Sequence, residues 1–204
     1  IVSIENVSYY EDSAEIEKKI WSLLIRAVND RNSEFRTPVF ICGNNNDLDG
    51  RVVVLRKVDQ KNNIIQYHSD IRSSKIDKIK KNPKCSILFY GKKEKIQLRV
   101  KADCEVNYNN DITKKSWETT GHISRKCYLV TNGPGTKSEK PTSGLDNKFD
   151  NFDFTKEESE NGYKNFCVIK CKINSIEWLY LAAKGHRRAL IDFNGSKKFT
   201  WLVP

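Results

Sequence analysis

The chain has 204 residues, of which 38% are hydrophobic and 30% are charged, and its formal net charge at pH 7 is +10. This length suits one domain over residues 1–204 with one continuous core, and no segment approaches the roughly 20 apolar residues of a membrane-spanning helix. Residues 1–5 lack the basic-then-apolar pattern of a signal peptide, so we expect a cytoplasmic protein. The sequence contains no methionine, even at position 1, so we expect an initiator residue to be missing from it.

In chain order, the predicted elements begin with one helix and continue mainly as strands. Asp12 and Glu15 have the spacing of a capping box, and apolar residues at helical spacing follow, which predicts a helix over 13–29. Further helices are predicted over 73–81 and 111–130, and a mobile loop rich in Gly, Pro and Ser over 131–165. The predicted strands are 37–42, 50–58, 64–68, 84–90, 95–106, 166–180, 188–193 and 199–203. Many strands without βαβ alternation favour a mainly β fold with peripheral α-helices, an antiparallel barrel.

The cysteines and histidines do not have the spacing of a metal site. The six cysteines form no Cys-x-x-Cys pair and most lie in apolar, strand-like segments, so we expect buried, reduced thiols. The three histidines are scattered, and no bound metal is expected. The basic residues are mostly lysines spread along the whole chain, which favours a solvated surface over a nucleic-acid interface.

One polar cluster lies where a predicted strand meets a predicted helix. His68-Ser69-Asp70 ends the strand, and Arg72-Ser73-Ser74-Lys75 opens the helix. Free backbone N–H groups and the dipole make a helix N-terminus attractive to anions, and the hydroxyl and basic side chains add further donors. The cluster therefore predicts either a phosphate site or an ordinary cap by Ser73 with solvated basic neighbours.

Two other strands carry isolated polar side chains. Arg51 and Arg56 bracket an apolar run and have opposite parity, so they point the same way only across a bulge. Gln97 and Arg99 lie on one face of a strand, and the Gln97 amide offers the donor and acceptor that the edge of a flavin ring requires. Each feature taken alone is also typical of surface residues.

The order of these motifs resembles the FMN-binding core of the pyridoxamine 5'-phosphate oxidase family, in a divergent, oxidase-related form. The resemblance covers residues 13–130 and 166–204, most of the chain. It is carried by these segments: Gly50-Arg51-Val52-Val53-Val54-Leu55-Arg56, Tyr67-His68-Ser69-Asp70, Arg72-Ser73-Ser74-Lys75, Asn82-Pro83, Phe89-Tyr90, Gln97, Ile176-Glu177-Trp178, His186-Arg187-Arg188 and Trp201-Leu202-Val203-Pro204.

The resemblance implies a split β-barrel homodimer with FMN at the subunit interface. Arg51 and Lys75 would hold the FMN phosphate with help from Ser69 and Ser74, and Arg56 stands where the family has a lysine near the flavin. Gln97 would contact the ring, and Trp178 would approach it from the other subunit. The full set of implied FMN contacts is Arg51, Val52, Val53, Val54, Arg56, His68, Ser69, Arg72, Ser74, Lys75, Gln97, Trp178 and Arg188, with Asn132 and Gly133 near a partner-subunit contact.

The resemblance does not extend to the vitamin-B6 substrate. The family's substrate-phosphate positions hold Lys115, Thr119 and Ile123, and the C-terminal Arg-x-His pair becomes Arg187 and Ala189. We therefore expect an FMN-dependent oxidoreductase with an unknown small substrate, and no residue is singled out as a general base. A flavin-binding or electron-carrying module without its own substrate, and a basic barrel that binds no flavin, remain alternatives.

Overall fold

The computed structural model describes residues 8–149 and 154–204, which form one antiparallel sheet with peripheral helices. The strands are β1 Val39–Asn44, β2 Asp47–Val52, β3 Leu55–Asp59, β4 Ile64–Asp70, β5 Lys84–Gly91, β6 Ile96–Tyr108, β7 Phe166–Tyr180, β8 Arg187–Asp192 and β9 Lys198–Leu202. The helices are α1 Ser13–Asn29, α2 Ser74–Lys81, α3 Asp111–Thr119, α4 His122–Arg125 and α5 Lys156–Ser159. No helix in the described ranges is both long enough and apolar enough to cross a membrane.

The sheet curls into the predicted barrel. Its strands follow the order β2-β1-β5-β6-β7-β4-β3, and β8 and β9 extend from β7. The two ends of this path, β2 and β3, are separated along the chain by only Val53 and Val54. Because so short a link cannot span a flat sheet of seven strands, the two ends must curve toward one another.

Helix α1 has the bounds that the sequence predicts. The Asp12 carboxylate accepts a hydrogen bond of 3.0 Å from the Glu15 N–H and so caps the first turn. The apolar face of α1 is buried in the main core. Strand β7 also begins and ends at the predicted residues.

Two predicted elements are divided in the structure. The predicted strand over 50–58 is wrong as one element, because β2 ends at Val52 and pairs with β1, whereas β3 begins at Leu55 and pairs with β4. The predicted helix over 111–130 stops at Thr119, where the Thr119 and Thr120 hydroxyls donate to the Ser116 carbonyl, at 3.0 and 2.7 Å. Helix α4 and a 3₁₀ turn follow after Gly121.

The end of the predicted 131–165 loop is folded structure. Thr155 and Glu158 form a capping box for α5, and a 3₁₀ segment follows over Glu160–Asn165. The buried Arg125 guanidinium forms an ion pair of 2.6 Å with Glu160, and the Trp117 indole N–H donates to the same carboxylate at 2.9 Å. This segment therefore packs against α3, while residues 150–153 of the predicted loop, like residues 1–7, lie outside the described residues.

The cysteines are free thiols, as predicted. Cys42, Cys85, Cys104, Cys167 and Cys171 are buried, and Cys127 is exposed. Burial raises the pKa of the Cys167 thiol to about 12, so this thiol stays protonated at neutral pH.

Candidate functional site

A corner between β2 and the start of α2 collects basic side chains. Helix α2 begins at Ser74, and Ser73 is its N-cap residue, although the Ser73 hydroxyl makes no capping hydrogen bond. The hydroxyl instead lies 3.4 Å from a terminal nitrogen of Arg51 on β2. The first turn of α2 and the Arg51 guanidinium therefore face the same point, which we call the β2–α2 corner.

Lys75 gives the corner a buried cation. Its side chain is in the first turn of α2 and the residue is only 8% exposed. Among the described residues, no carboxylate or hydrogen-bond acceptor contacts the Lys75 ammonium, which lies 5.5 Å from the centre of the Tyr67 ring. Burial lowers the pKa of Lys75, and the nearby Arg51 charge lowers it further. The Asp70 carboxylate offsets only part of this effect, so the charged form of Lys75 is incompletely compensated.

Arg51 is only partly compensated. One of its terminal nitrogens pairs with the Asp49 carboxylate, but its Nε atom is buried without a hydrogen-bond partner in the described structure. Two cations and one carboxylate leave the corner positive, next to the free N–H groups of a helix N-terminus. These are the properties of an anion site. The sequence analysis did not identify Asp49 as a partner of Arg51. The spacing could have indicated it, because residues two apart on a strand lie on the same face.

Arg72 has its guanidinium occupied within the chain. It donates to the Asp70 carboxylate at 3.0 and 2.8 Å and to the Thr131 and Val130 carbonyls, both at 3.0 Å. Gly133 lies against the same side chain, since a Cβ added there would come within 3.0 Å of the Arg72 Cβ. Arg72 thus anchors the 130–133 segment beside the corner, which is a positioning role that the sequence did not indicate.

The other predicted contacts on these strands differ in exposure. Val52 is exposed, Val53 is buried and Val54 is half-buried. Val53 donates its N–H to the Pro38 carbonyl at 3.0 Å, which fixes the link between β2 and β3. Ser74 is exposed at the start of α2, whereas the Ser69 hydroxyl is buried and lies 3.4 Å from the Asp70 carbonyl.

Arg56 and His68 form a second polar group, on β3 and β4. Burial lowers the pKa of His68 to about 3, and the Arg56 charge contributes to this shift, so the imidazole is neutral at pH 7. The His68 ring contacts Phe166 edge-on, with 4.8 Å between ring centres. No described residue forms an ion pair or hydrogen bond with the Arg56 guanidinium, which therefore stays available to an anionic group.

Gln97 and Arg188 lie on the outer face of the sheet. Gln97 is opposite Leu179 on β7, and Leu179 is opposite Arg188 on β8, so the three side chains form one cross-strand row. Arg188 donates to Glu177 at 2.9 Å, and Glu177 also accepts from Arg99 at 3.0 Å. Strand β6, which carries Gln97, is three strands away from Arg51 on β2. Within one chain, the structure therefore does not bring this row to the β2–α2 corner.

Trp178 points the other way, which corrects its expected contact with a flavin. Its side chain is 0% exposed and packs in the barrel core, and its indole nitrogen has no partner in the described structure. Leu179, the next residue, takes the outward position. Successive residues of a strand point to opposite faces, and the sequence Glu177-Trp178-Leu179 does not show which face is the core.

The comparisons with known proteins agree with this fold. Residues 21–107 match the family model for the FMN-binding domain of pyridoxamine 5'-phosphate oxidase, a range that contains the corner, Arg56, His68 and Gln97. No curated protein matches the sequence significantly. The resemblance found in the sequence is thus confirmed for this part of the chain.

Two solved structures share the fold over nearly the whole chain. A pyridoxamine 5'-phosphate oxidase-related, FMN binding protein from Nostoc punctiforme PCC 73102 superposes with a TM-score of 0.73 at 17% identity, covering 92% of this chain and 97% of that one. PhzG from Burkholderia lata 383, solved in complex with tetrahydrophenazine-1-carboxylic acid, gives a TM-score of 0.68 at 14% identity and covers 97% of each chain. The predicted barrel of this FMN-binding type is therefore confirmed.

Proposed function

We propose that the chain binds FMN, that the β2–α2 corner holds the FMN phosphate, and that the protein is an FMN-dependent oxidoreductase. The observation that carries the proposal is Lys75, a residue only 8% exposed, whose ammonium has no acceptor among the described residues and lies beside Arg51. A phosphate dianion would neutralise both charges, and burial without such a partner is costly for a cation.

The remaining groups of the corner suit a phosphate in number and type. The buried Nε of Arg51 lacks an acceptor, and the Ser73 hydroxyl is not used as a helix cap. The first N–H groups of α2 add donors in the geometry that phosphates prefer. Lys75, Arg51 and Ser73 would therefore hold the phosphate, with Asp49 orienting Arg51 and Arg72 holding the neighbouring segment in place.

For the flavin ring we propose Arg56 and His68 of the same chain and the row of Gln97, Leu179 and Arg188 of a partner subunit. The row lies three strands from Arg51, so its contribution to the same flavin requires a homodimer. Sedimentation equilibrium tests this part: a dimer that Leu179→Asp converts to a monomer with weakened FMN binding supports it. A monomeric wild-type holoprotein would contradict it. The proposal keeps the cytoplasmic location expected from the sequence.

When bound, FMN would supply the hydride-transfer chemistry, and the protein would supply binding, orientation and electrostatics. Arg56 would place a positive charge near the ring. We infer that pyridoxine 5'-phosphate is not the substrate, because Thr119 and Ala189 stand at two positions where the resemblance places substrate-binding residues. The Thr119 hydroxyl is, moreover, bonded to its own helix at the Ser116 carbonyl.

The decisive experiment compares FMN with riboflavin, which lacks the phosphate. Apo-protein is titrated with each flavin while flavin fluorescence is followed. Arg51→Ala with Lys75→Ala should weaken FMN binding by about 1.5–3 kcal/mol for each charged hydrogen bond lost, and leave riboflavin binding nearly unchanged. The control pair, Arg26→Ala with Lys80→Ala, removes two exposed charges and should alter neither affinity.

Two outcomes decide between the proposal and its alternatives. FMN affinity equal to wild type in the Arg51 and Lys75 double variant would place the phosphate elsewhere, and no flavin binding by the wild type would leave a basic barrel without flavin. Steady-state turnover of reduced nicotinamide or an amine by holoprotein supports an enzyme. Its absence, with FMN bound, favours an electron-carrying module.

A further inference from the structure

Arg72 joins the start of α2 to a part of the chain without helix or strand, residues 129–146. Its two terminal nitrogens donate to the Thr131 and Val130 carbonyls, both at 3.0 Å. The guanidinium also pairs with the carboxylate of Asp70, a residue only 8% exposed. Because the carboxylate neutralises the guanidinium, Arg72 attracts a nearby anion only weakly and stays bonded to the two carbonyls.

Residues 131–144 form a loop whose two ends meet. The Thr131 N–H donates to the Gly144 carbonyl at 3.0 Å, and Gly144 has a φ of 72°. A Cβ at Gly144 would come within 2.6 Å of the Val130 side chain, so the end of the loop packs closely against its beginning. Loops with joined ends are packed mainly by their own side chains, so the contacts at the base fix where the whole loop lies. Arg72 supplies two of these contacts.

A rigid turn opens the 131–144 loop. The Thr136 N–H and hydroxyl both donate to the Gly133 carbonyl, at 3.2 and 2.7 Å. Pro134 takes the second position of the turn, where its ring fixes φ, and Gly135 takes the third position with a φ of 86°. These are the features of a type II β-turn, so this part of the predicted mobile loop has a fixed shape.

The turn lies beside the β2–α2 corner. A Cβ added to Gly133 would come within 3.0 Å of the Arg72 Cβ and 3.7 Å of the Arg72 carbonyl oxygen. The turn therefore begins against the peptide that leads from Arg72 into Ser73, the N-cap residue of α2. The Ser73 hydroxyl in turn faces Arg51 across the corner. A phosphate held by Arg51 and Ser73 would thus have the turn as its neighbour.

We propose that Arg72 is a positioning residue that holds the 131–144 loop as the outer wall of the β2–α2 corner and so slows the release of FMN. The inference rests on the phosphate site proposed above, and it assigns Arg72 no contact with FMN. The wall would exclude water from the phosphate, which strengthens the attraction of Arg51 and Lys75 for it. Affinity differences between related complexes lie mostly in the dissociation rate, so loss of the wall should appear there. Riboflavin lacks the phosphate, and the wall should affect its release little.

The test dilutes holoprotein that carries FMN or riboflavin far below the dissociation constant and follows release by the fluorescence anisotropy of the flavin. Arg72→Gln removes both bonds to the loop and should speed FMN release on the order of 10-fold, the effect of losing charged hydrogen bonds at a partly exposed position, with little change for riboflavin. Arg72→Lys keeps a charge beside Asp70, but an ammonium lacks the planar fork that bridges the carboxylate and the two carbonyls. Its rate of FMN release should lie between those of the wild type and Arg72→Gln.

Two further variants act on the same contact without leaving a buried carboxylate unpaired. Asp70→Asn with Arg72→Gln removes both charges of the pair. Gly133→Val removes no charge and instead pushes the turn away from Arg72, because its Cβ would already be 3.0 Å from that side chain. Both should speed FMN release as Arg72→Gln does. The matched controls are Arg26→Gln, at an exposed position of α1, and Gly121→Val, where an added Cβ has nothing within 4 Å, and both should release FMN at the wild-type rate.

Selective acceleration of FMN release by Arg72→Gln, by its double variant with Asp70→Asn and by Gly133→Val supports the proposal. Wild-type release from these variants would overturn it. Equal acceleration for FMN and riboflavin would also overturn it, because it indicates a general loosening of the fold. Faster release from Arg72→Gln with wild-type release from Gly133→Val would contradict it as well, because Arg72 would then bind the phosphate directly.

Hydrogen exchange measured on the apo-protein separates this inference from the flavin proposal. Arg72→Gln should speed amide exchange within residues 131–144 even without flavin, because the loop loses its anchor. If exchange is faster but the wild type binds no FMN, the flavin proposal is wrong and the role in FMN release falls with it, whereas the anchoring by Arg72 stands. If FMN binds tightly and leaves the variants at the wild-type rate, only the role of Arg72 in FMN release is wrong.

Discussion

Lys75→Met should change stability in opposite directions with and without FMN. Without ligand, the substitution removes an ammonium that has no acceptor among the described residues, at the end of a largely buried side chain, and methionine retains the contact with the Tyr67 ring. Because the ammonium is only partly desolvated, its removal should gain at most about 1 kcal/mol, the low end for an unsatisfied polar group, partly offset by the lost cation–π attraction. The apo-variant should therefore unfold at a higher temperature than the wild type, by about 2–4 °C for each kcal/mol gained.

With FMN, the same substitution should remove most of the stabilisation that the ligand provides. At a free FMN concentration of 100 Kd, binding stabilises the wild type by about 2.7 kcal/mol. A loss of about 2 kcal/mol in affinity weakens Kd roughly 30-fold, so the same concentration stabilises the variant by only about 0.9 kcal/mol. A cation that serves only the fold would not produce this reversal.

Thermal unfolding measured by circular dichroism, with and without FMN, tests both the higher unfolding temperature of the apo-variant and its smaller stabilisation by FMN. Lys80→Met, an exposed lysine on the same helix, is the matched control and should leave the FMN-dependent shift at the wild-type value. A less stable Lys75→Met apo-protein that keeps the full FMN-dependent shift would refute the reasoning, because Lys75 would then be a structural lysine without a phosphate to bind.

Three further predictions follow from the site. Arg56→Ala should lower the reduction potential of bound FMN, measured against a reference dye, because a cation near the ring favours the anionic reduced flavin; an unchanged potential with intact binding would remove this role. The pKa of His68 is lowered from 6.5 to about 3, so below pH 6.5 the unfolded state binds more protons than the folded state. The free energy of unfolding therefore decreases as the pH is lowered, by at most about 1.4 kcal/mol per pH unit. In urea unfolding between pH 7 and about 4, His68→Gln should flatten this slope relative to wild type and to His122→Gln; an unaltered slope would contradict the burial of His68. Trp178→Ala should cost about 3–5 kcal/mol of unfolding free energy, whereas Trp178→Phe should keep FMN affinity, and a large affinity loss in the folded Phe variant would show that the indole reaches the flavin.

Elements set by neighbouring residues could be predicted from the sequence. Helix α1 depends on the Asp12 cap and on apolar spacing within 17 residues, and both are visible in the sequence. The division between β2 and β3 depends on which strands lie beside them, because β2 pairs with β1 and β3 with β4. A β-branched run contains no information about that choice, which is why the single predicted strand over 50–58 was wrong.

The same distinction applies to side-chain faces. The alternation along β7 is known only once its register with β6 is known, since a shift of one residue would exchange Trp178 and Leu179. The sequence indicated that this segment matters without showing which side chain is turned outward. By contrast, the family resemblance implied that Arg51 and Lys75 lie close together, and the contact of Arg51 with Ser73, 22 residues away, places Arg51 at the start of that helix.

Arg72 and Lys75 show why basic residues in one short motif cannot be assigned by type alone. They are three positions apart, Arg72 just before the N-cap residue of α2 and Lys75 in its first turn, and both are candidates for a phosphate. The donors of Arg72 are used by Asp70 and by carbonyls 58 and 59 residues further along the chain, so an added anion would have to displace existing bonds. Lys75 has no such acceptor among the described residues and an anion would only add one. Lys75 therefore contributes more than Arg72 to the free energy of anion binding, while Arg72 holds the neighbouring segment in the geometry that binding requires.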